Sequence, residues 1–152
     1  GVLDASRRAI GRERTGVRLA PFIWQRGMDD PQAIDAILAL AKVCEARGLA
    51  FLHLAEADWD DAPKVPWAFR QSLRDAFSGS IIVAGNYTEA KADELLSAGL
   101  VDFVAFGRPF IANPDLPERI RQHLPLATVQ DPSTLFGGSA VGYTDYPAWQ
   151  NR

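Results

Sequence analysis

Residues 81–88 read IIVAGNYT, and further along the chain residues 101–116 read VDFVAFGRPFIANPDL. Each is a short apolar run that ends at a glycine and is followed by a helix signal, which is typical of a strand-to-helix junction. In a parallel (β/α)8 barrel the loops after the last two strands bind phosphate, because glycine lets backbone N–H groups approach the anion at the positive end of the next helix. Arg108, directly after Gly107, adds a charge that can hold phosphate through two bonds. The two junctions together predict a phosphorylated cofactor.

Strand-like and helix-like segments alternate along the rest of the chain. Short apolar runs bounded by glycine or proline predict strands over residues 16–20, 49–54, 80–84 and 103–106. Helical spacing and boundary residues predict helices over residues 2–12, 31–47, 67–77 and 88–98, and a last helix that follows residues 113–115 and ends near residue 124. Residues 125–152 are rich in glycine, proline and aromatic side chains, and we expect them to be irregular.

Apolar strands that alternate with helices predict a parallel sheet covered by helices. An open doubly wound sheet and a (β/α)8 barrel both have this element order. Phosphate signals on the last two of four strands match the second half of a barrel, strands five to eight with their helices. A full barrel needs about 250 residues, whereas this chain has 152 and begins within a helical pattern. We therefore expect residues 1–152 to form one domain, a C-terminal half-barrel that another chain or segment completes. Left alone, it would expose two open strand edges.

The composition excludes several classes of protein. An apolar fraction of 47% is enough for a core, and a net charge of −3 argues against nucleic-acid binding, which requires a basic face. No apolar run approaches the roughly 18 residues of a membrane span, and the charged N-terminus is unlike a signal peptide. The single cysteine, Cys44, allows no internal disulfide and suits a reducing compartment. We expect a cytoplasmic protein without membrane partners in which Cys44 is a packed thiol.

Arg18 is the first candidate for chemistry. Period-two alternation places it on the opposite strand face from Val17 and Leu19, which suit packing against helices, so Arg18 is predicted to point into the barrel. A buried guanidinium needs an anionic partner or a ligand, and the sequence leaves both an internal ion pair and a ligand contact open. By contrast, His53 is predicted to be a hydrogen-bonded core residue, and His123 a surface residue at a helix end.

An acidic loop follows the second strand and contains Glu56, Asp58, Asp60 and Asp61 around Trp59. Such carboxylates can bind a hard cation or act as acid and base, but solvated loop acids are the favoured interpretation, and we predict no metal site. Trp59 could form one wall of a pocket for an apolar substrate, or it could hold its own loop in place.

The C-terminal tail carries the segment LFGGSAVGYTDYP over residues 135–147. Phe136 precedes the pair Gly137 and Gly138, which allows a sharp bend. Such a segment can fold back over a pocket or merely anchor the end of the chain. The sequence leaves these two alternatives open.

Five segments resemble the Old Yellow Enzyme family of FMN-dependent ene reductases, in particular its bacterial branch of N-ethylmaleimide and nitrate-ester reductases. They are GVRLAP (16–21), LHLAEADW (52–59), IIVAGNYT (81–88), VAFGRPFIANPDLP (104–117) and GYTDYP (142–147). The resemblance covers nearly the whole chain in the right order. It corresponds to the family's C-terminal half, from about the fifth barrel strand onward.

The resemblance implies a set of flavin contacts: Arg18, Ala84, Gly85, Asn86, Gly107 and Arg108. In the family, the arginine that matches Arg18 contacts the N1/O2 edge of the flavin and stabilises negative charge on the reduced ring. Ala84, Gly85 and Asn86 correspond to the seventh-strand end of the phosphate site, although glycine or alanine is commoner at the position of Asn86. Gly107 and Arg108 correspond to its eighth-strand end.

The resemblance also implies two substrate contacts. Trp59 is similar to the aromatic wall of the family's substrate pocket. Phe136 occupies a position where many relatives have tyrosine, and this difference is expected to affect substrate orientation. Ser139 interrupts a run of three glycines that is usual in the family. Neither Ser139 nor Asn86, the two departures from the family's glycine pattern, changes the expected cofactor.

The family's substrate-activating His/Asn or His/His pair and its proton-donor tyrosine belong to the missing half-barrel, and neither His53 nor His123 matches them. The resemblance implies an enzyme that uses NAD(P)H and bound FMN in ping-pong fashion to reduce the C=C bond of α,β-unsaturated carbonyl or nitro compounds, with nitrate esters as further substrates. We expect this activity only when a complementary N-terminal half completes a split, cleaved or circularly permuted enzyme. The alternatives are a flavin-free phosphosugar aldolase or isomerase barrel and a non-catalytic phosphate-binding half-barrel.

Overall fold

Four parallel strands in sequential order form the only sheet of the described residues. The computed structural model describes residues 1–23, 32–57, 63–136 and 139–149. The sheet order is β1-β2-β3-β4, and every neighbouring pair is parallel. The strands are β1 (Gly16–Leu19), β2 (Phe51–Ala55), β3 (Ser80–Ala84) and β4 (Phe103–Ala105). Sequential parallel order with helical connections is the arrangement predicted for half of a (β/α)8 barrel.

Helices precede, connect and follow these strands. They are α1 (Val2–Ile10), α2 (Ala33–Ala46), α3 (Trp67–Ala76), α4 (Glu89–Ser97), α5 (Arg108–Ala112) and α6 (Leu116–Arg121), with short 3-10 turns at Arg12–Arg14 and Pro132–Leu135. The chain divides into two compact units, Gly1–Ala105 and Phe106–Arg152. None of the described helices combines the length and the apolar character that crossing a membrane would require.

One face of the sheet builds the core of the first unit. Alternation along β2 and β3 buries Leu52 and Leu54, and likewise Ile81 and Val83, against the helices. The contributions of α2 and α3 to this cluster are Ile37, Ala41, Cys44, Phe69 and Leu73. The prediction of a packed thiol is therefore confirmed, and burial raises the pKa of Cys44.

The opposite face of the sheet carries a row of residues in register. Arg18 lies opposite His53, His53 opposite Ile82, and Ile82 opposite Phe103. Phe103 is 57% exposed, and Arg18 is exposed as well. In a closed barrel this face points inward, so the predicted direction of Arg18, away from the helices, is confirmed.

The second strand begins two residues later than the apolar pattern predicts. Gly48, at φ 63°, ends α2, and its N–H donates to the carbonyl of Glu45 while the Leu49 N–H donates to the carbonyl of Cys44. This pair of bonds is the Schellman ending of a helix. Leu49 therefore completes the helix end rather than the sheet, and β2 starts at Phe51.

The last predicted helix is α6, which begins after residues 113–115 as expected, and an additional short helix, α5, precedes it with Asn113 between the two. The Asn113 side chain is 0% exposed. Its amide nitrogen donates to the carbonyls of Pro109 (2.7 Å) and Ala127 (2.9 Å), and its oxygen accepts from the Ala127 N–H (2.8 Å). Because this side chain bonds to the Pro109 carbonyl, which would accept from the residue 113 N–H in a continuing helix, α5 ends at Asn113.

The C-terminal tail is anchored to α6. Arg119 is 4% exposed; it pairs with Asp115 at 2.7 Å and donates to the Pro147 carbonyl at 3.1 Å. Its guanidinium carbon lies 5.8 Å from the centre of the Trp149 ring, whose backbone N–H donates to Asp115. The sequence left open whether the tail folds over a pocket or anchors the end of the chain. The contacts around Pro147 anchor this part of the tail to α6.

Candidate functional site

The carboxyl ends of β3 and β4 are aligned. Ala84 and Ala105, the last residues of the two strands, are register partners. The Glu56 N–H donates to the Ala84 carbonyl at 2.7 Å and extends the pairing of β2 with β3 by one residue. Gly85 follows β3 directly in the sequence. The strand ends that lead into the predicted phosphate site are therefore held in register with their neighbours.

At the carboxyl end of β3, any residue larger than glycine at position 85 would make a tight contact. A Cβ atom at residue 85 would lie 3.2 Å from the Cβ of Glu56 and 3.5 Å from a ring carbon of Tyr87. Such a contact is tight, so glycine allows the backbone to lie closely against Glu56. The next residue, Asn86, is exposed. The close approach at Gly85 and the exposed residue after it fit the predicted anion-binding loop, whose contacts through backbone N–H groups stay a prediction.

Gly107 and Arg108 lie at the start of the second unit. Gly107 is the N-cap residue of α5, and Arg108 is its first residue. A Cβ at Gly107 would meet no atom within 4 Å among the residues described. Packing within this part of the chain therefore does not explain this glycine, and Arg108 is exposed.

Behind Gly85, three polar side chains form a closed network. Arg70 donates to both carboxylate oxygens of Glu56 at 2.8 Å each and to the Tyr87 hydroxyl at 3.1 Å. That hydroxyl in turn donates to Glu56 Oε1 at 2.8 Å. The side chains of Arg70 and Glu56 are only 9% and 10% exposed. Burial and the Glu56 charge raise the pKa of Tyr87, against the opposing effect of Arg70, so the phenol stays protonated.

The prediction that Glu56 is a solvated loop acid is wrong. Its partner Arg70 lies on the buried face of α3 beside Phe69 and Leu73, one helical turn into the helix. An arginine at an apolar position of a helix is a signal for a buried ion pair, but the sequence does not show which acid completes it. Asp58, Trp59, Asp60 and Asp61 lie outside the described residues.

A cavity of about 350 Å³ adjoins the network. Its lining includes Glu56, Arg70, Tyr87 and Asn86, and charged side chains such as Lys64 and Lys91 border it. Of the predicted cofactor residues, Asn86 is the one that faces this cavity. Arg18 and Gly85 are not among its lining residues.

Arg18 makes no ion pair with the residues that the structure describes. Of the two alternatives left open for Arg18, an ion pair with one of the described acids is therefore excluded. Its register partner is His53. The buried Nε2 of His53 has no hydrogen-bond partner within the described part of the chain, so the prediction of a hydrogen-bonded histidine is wrong for this atom. Burial and the Arg18 charge lower the pKa of His53. A neutral imidazole therefore lies beside the guanidinium.

Two further sequence predictions concern exposed residues. His123 lies on the surface just beyond α6, as predicted. Phe136, predicted to contact substrate, is 93% exposed. Its assignment stays a prediction, as does that of Trp59.

The strand order, the inward face with Arg18 and the glycine loop after β3 define part of a parallel (β/α)8 barrel. The chain belongs to the NADH:flavin oxidoreductase / NADH oxidase family, whose model matches residues 1–127. The predicted family and the predicted cofactor class, a flavin with a nicotinamide nucleotide, agree with this description.

Individual relatives support the same assignment. The chain is 32% identical to 12-oxophytodienoate reductase 2 of Arabidopsis thaliana, over 99% of this chain and 41% of the relative. It superimposes on morphinone reductase with a TM-score of 0.92 and 46% identity, covering 99% of this chain and 40% of the other. For the old yellow enzyme from Trypanosoma cruzi the TM-score is 0.85 and the identity 35%, covering 98% and 39%. The chain thus spans about 40% of the length of these relatives.

Proposed function

We propose that this chain is the cofactor-binding C-terminal half of an FMN-dependent ene reductase barrel. The observation that carries the proposal is the family match over residues 1–127, which includes Arg18 and both glycine junctions. FMN, when bound, transfers hydride equivalents from NAD(P)H to the C=C bond of an α,β-unsaturated carbonyl or nitro compound. The residues of this chain bind and orient the cofactor and adjust its electrostatics.

Arg18 and the glycine loops have different parts in this proposal. The Arg18 guanidinium would hold the N1/O2 edge of the flavin and favour its negatively charged reduced form, which its position on the inward face supports. Backbone N–H groups at Gly85 and at Gly107 would bind the phosphate, and Arg108 would add a bidentate contact. Ala84 and Asn86 flank the first loop, and Trp59 and Phe136 would contact the substrate.

We also propose that a complementary N-terminal half-barrel completes the enzyme. The inward face carries exposed Phe103 and a buried His53 nitrogen without a partner in the described residues. Within the described sheet, β1 and β4 each pair with one strand only, so both edges are open to further strands. The complementary segment would supply the substrate-activating His/Asn pair and the proton-donor tyrosine.

Replacing Arg18 with alanine tests the proposed function directly. In the barrel assembled with its complementary half, we expect FMN to bind about 10–100-fold more weakly, because one charge-assisted contact contributes about 1.5–3 kcal/mol. Flavin reduction by NAD(P)H, followed by stopped-flow absorbance, should also be slower. Arg8→Ala, at an exposed site on α1, is the control and should match the wild type. Unchanged affinity and reduction rate in Arg18→Ala, or a colourless wild-type barrel that binds sugar phosphates instead, would contradict the proposal.

Replacing Arg108 with alanine tests the phosphate contact. FMN and riboflavin share the ring system and differ at the phosphate, so the variant should bind FMN about 10–100-fold more weakly and riboflavin almost unchanged. Isothermal titration of both ligands measures the two affinities. Arg108→Lys keeps the charge without the bidentate geometry, so its affinity for FMN should lie between those of the wild type and Arg108→Ala. An equal loss for both ligands would remove Arg108 from the phosphate site.

A further inference from the structure

The network behind Gly85 joins three separate elements of the first unit. Glu56 follows β2, Arg70 belongs to α3, and Tyr87 lies in the loop between β3 and α4. Each side chain bonds to both of the others, so moving one of them disrupts two sets of bonds. The loop that carries Gly85 and Asn86 is therefore held at Tyr87 by side chains from two other elements.

Contacts at the other end of this loop complete its support. The Glu56 N–H holds the Ala84 carbonyl at 2.7 Å, just before the loop. Glu56 Cβ lies directly behind Gly85, where an added methyl group would be only 3.2 Å away. Glu56 thus contacts the loop on both sides of Asn86, through Ala84 and Gly85 before it and through Tyr87 after it.

We propose that Glu56, Arg70 and Tyr87 are positioning residues, which hold the loop of Gly85 and Asn86 in the conformation that binds the phosphate of the cofactor. This inference rests on the proposed function, since it assigns the loop to the phosphate of FMN. A loop fixed before binding loses less conformational entropy when the anion arrives, and its N–H groups already converge on the site. In this role the network acts on phosphate binding through the backbone of the loop.

Tyr87→Phe separates positioning from folding. It removes one hydroxyl and leaves both Glu56–Arg70 bonds in place, so the protein should still fold. FMN and riboflavin are titrated into the assembled barrel in parallel. We expect the Kd of FMN to rise about tenfold, which corresponds to about 1.4 kcal/mol, while the Kd of riboflavin changes less than about twofold. Amide hydrogen exchange at residues 85–87 should become faster in the ligand-free variant.

Arg74→Met is the matched control. Arg74 lies one turn further along α3 and pairs with Asp102 at 2.9 Å, which receives the Ile81 N–H near the start of β3. This pair sits at the opposite end of the strand from Gly85. Its loss should lower the melting temperature without changing the ratio of the FMN and riboflavin affinities.

The outcomes distinguish the inference from the proposed function. If the wild type prefers FMN to riboflavin and Tyr87→Phe keeps the same preference, the positioning role is overturned while the proposed function stands. If Arg74→Met shifts the preference as much as Tyr87→Phe does, the effect is general destabilisation and the inference also fails. If the wild type itself shows no preference for FMN, the phosphate assignment fails and the inference with it.

Discussion

An Arg70→Met variant is expected to lose about 3–5 kcal/mol of unfolding free energy, the cost of removing one partner from a buried ion pair. Methionine fills the space of the aliphatic stem but leaves the Glu56 carboxylate, 10% exposed, with the Tyr87 hydroxyl as its one side-chain partner among the described residues. Urea denaturation followed by circular dichroism measures the loss.

A double variant identifies the physical cause. Adding Glu56→Gln to Arg70→Met removes the uncompensated charge, so part of the lost stability should return. Arg121→Met is the control, because Arg121 pairs with Glu118 on the surface, where ion pairs contribute little. If Arg70→Met lost no more unfolding free energy than Arg121→Met, the Glu56–Arg70 pair would not stabilise the fold in the way described.

Asn113→Ala is expected to destabilise the second unit by about 3–4 kcal/mol. Three hydrogen bonds are lost, from the fully buried Asn113 side chain to the Pro109 carbonyl and to the carbonyl and N–H of Ala127. A net contribution of about 1 kcal/mol per bond gives this magnitude. Hydrogen exchange should show the loss in α5, in α6 and around Ala127.

The control for Asn113 is Gln122→Ala in the same unit. Gln122 bonds to Glu118 at the surface, and its replacement should change stability by less than about 0.5 kcal/mol. If residues 108–127 are protected from hydrogen exchange equally in Asn113→Ala and in the wild type, other contacts determine how α5 and α6 are joined.

The sequence alone determined the class of fold and the direction of Arg18. Strand alternation is a local property with a period of two, so Val17 and Leu19 on one face already place Arg18 on the other. Helix ends are local as well: Gly48 and Gly99, which come just after α2 and α4, both have a positive φ, a conformation that suits glycine at a helix end. Five segments, which include those around Gly85 and Gly107, also sufficed to predict the family, because each motif is contiguous in sequence.

Only the tertiary structure decided the partners of the buried polar groups. Glu56 reads as one of several loop acids until α3 brings Arg70 to it, and Tyr87 joins them from a different connection. Asn113 looks like a turn residue until Ala127 meets its side chain. Such pairings depend on residues far apart in the chain, which share no spacing that a sequence pattern can reveal. A carboxylate or an amide enters the interior only where the fold supplies its hydrogen bonds.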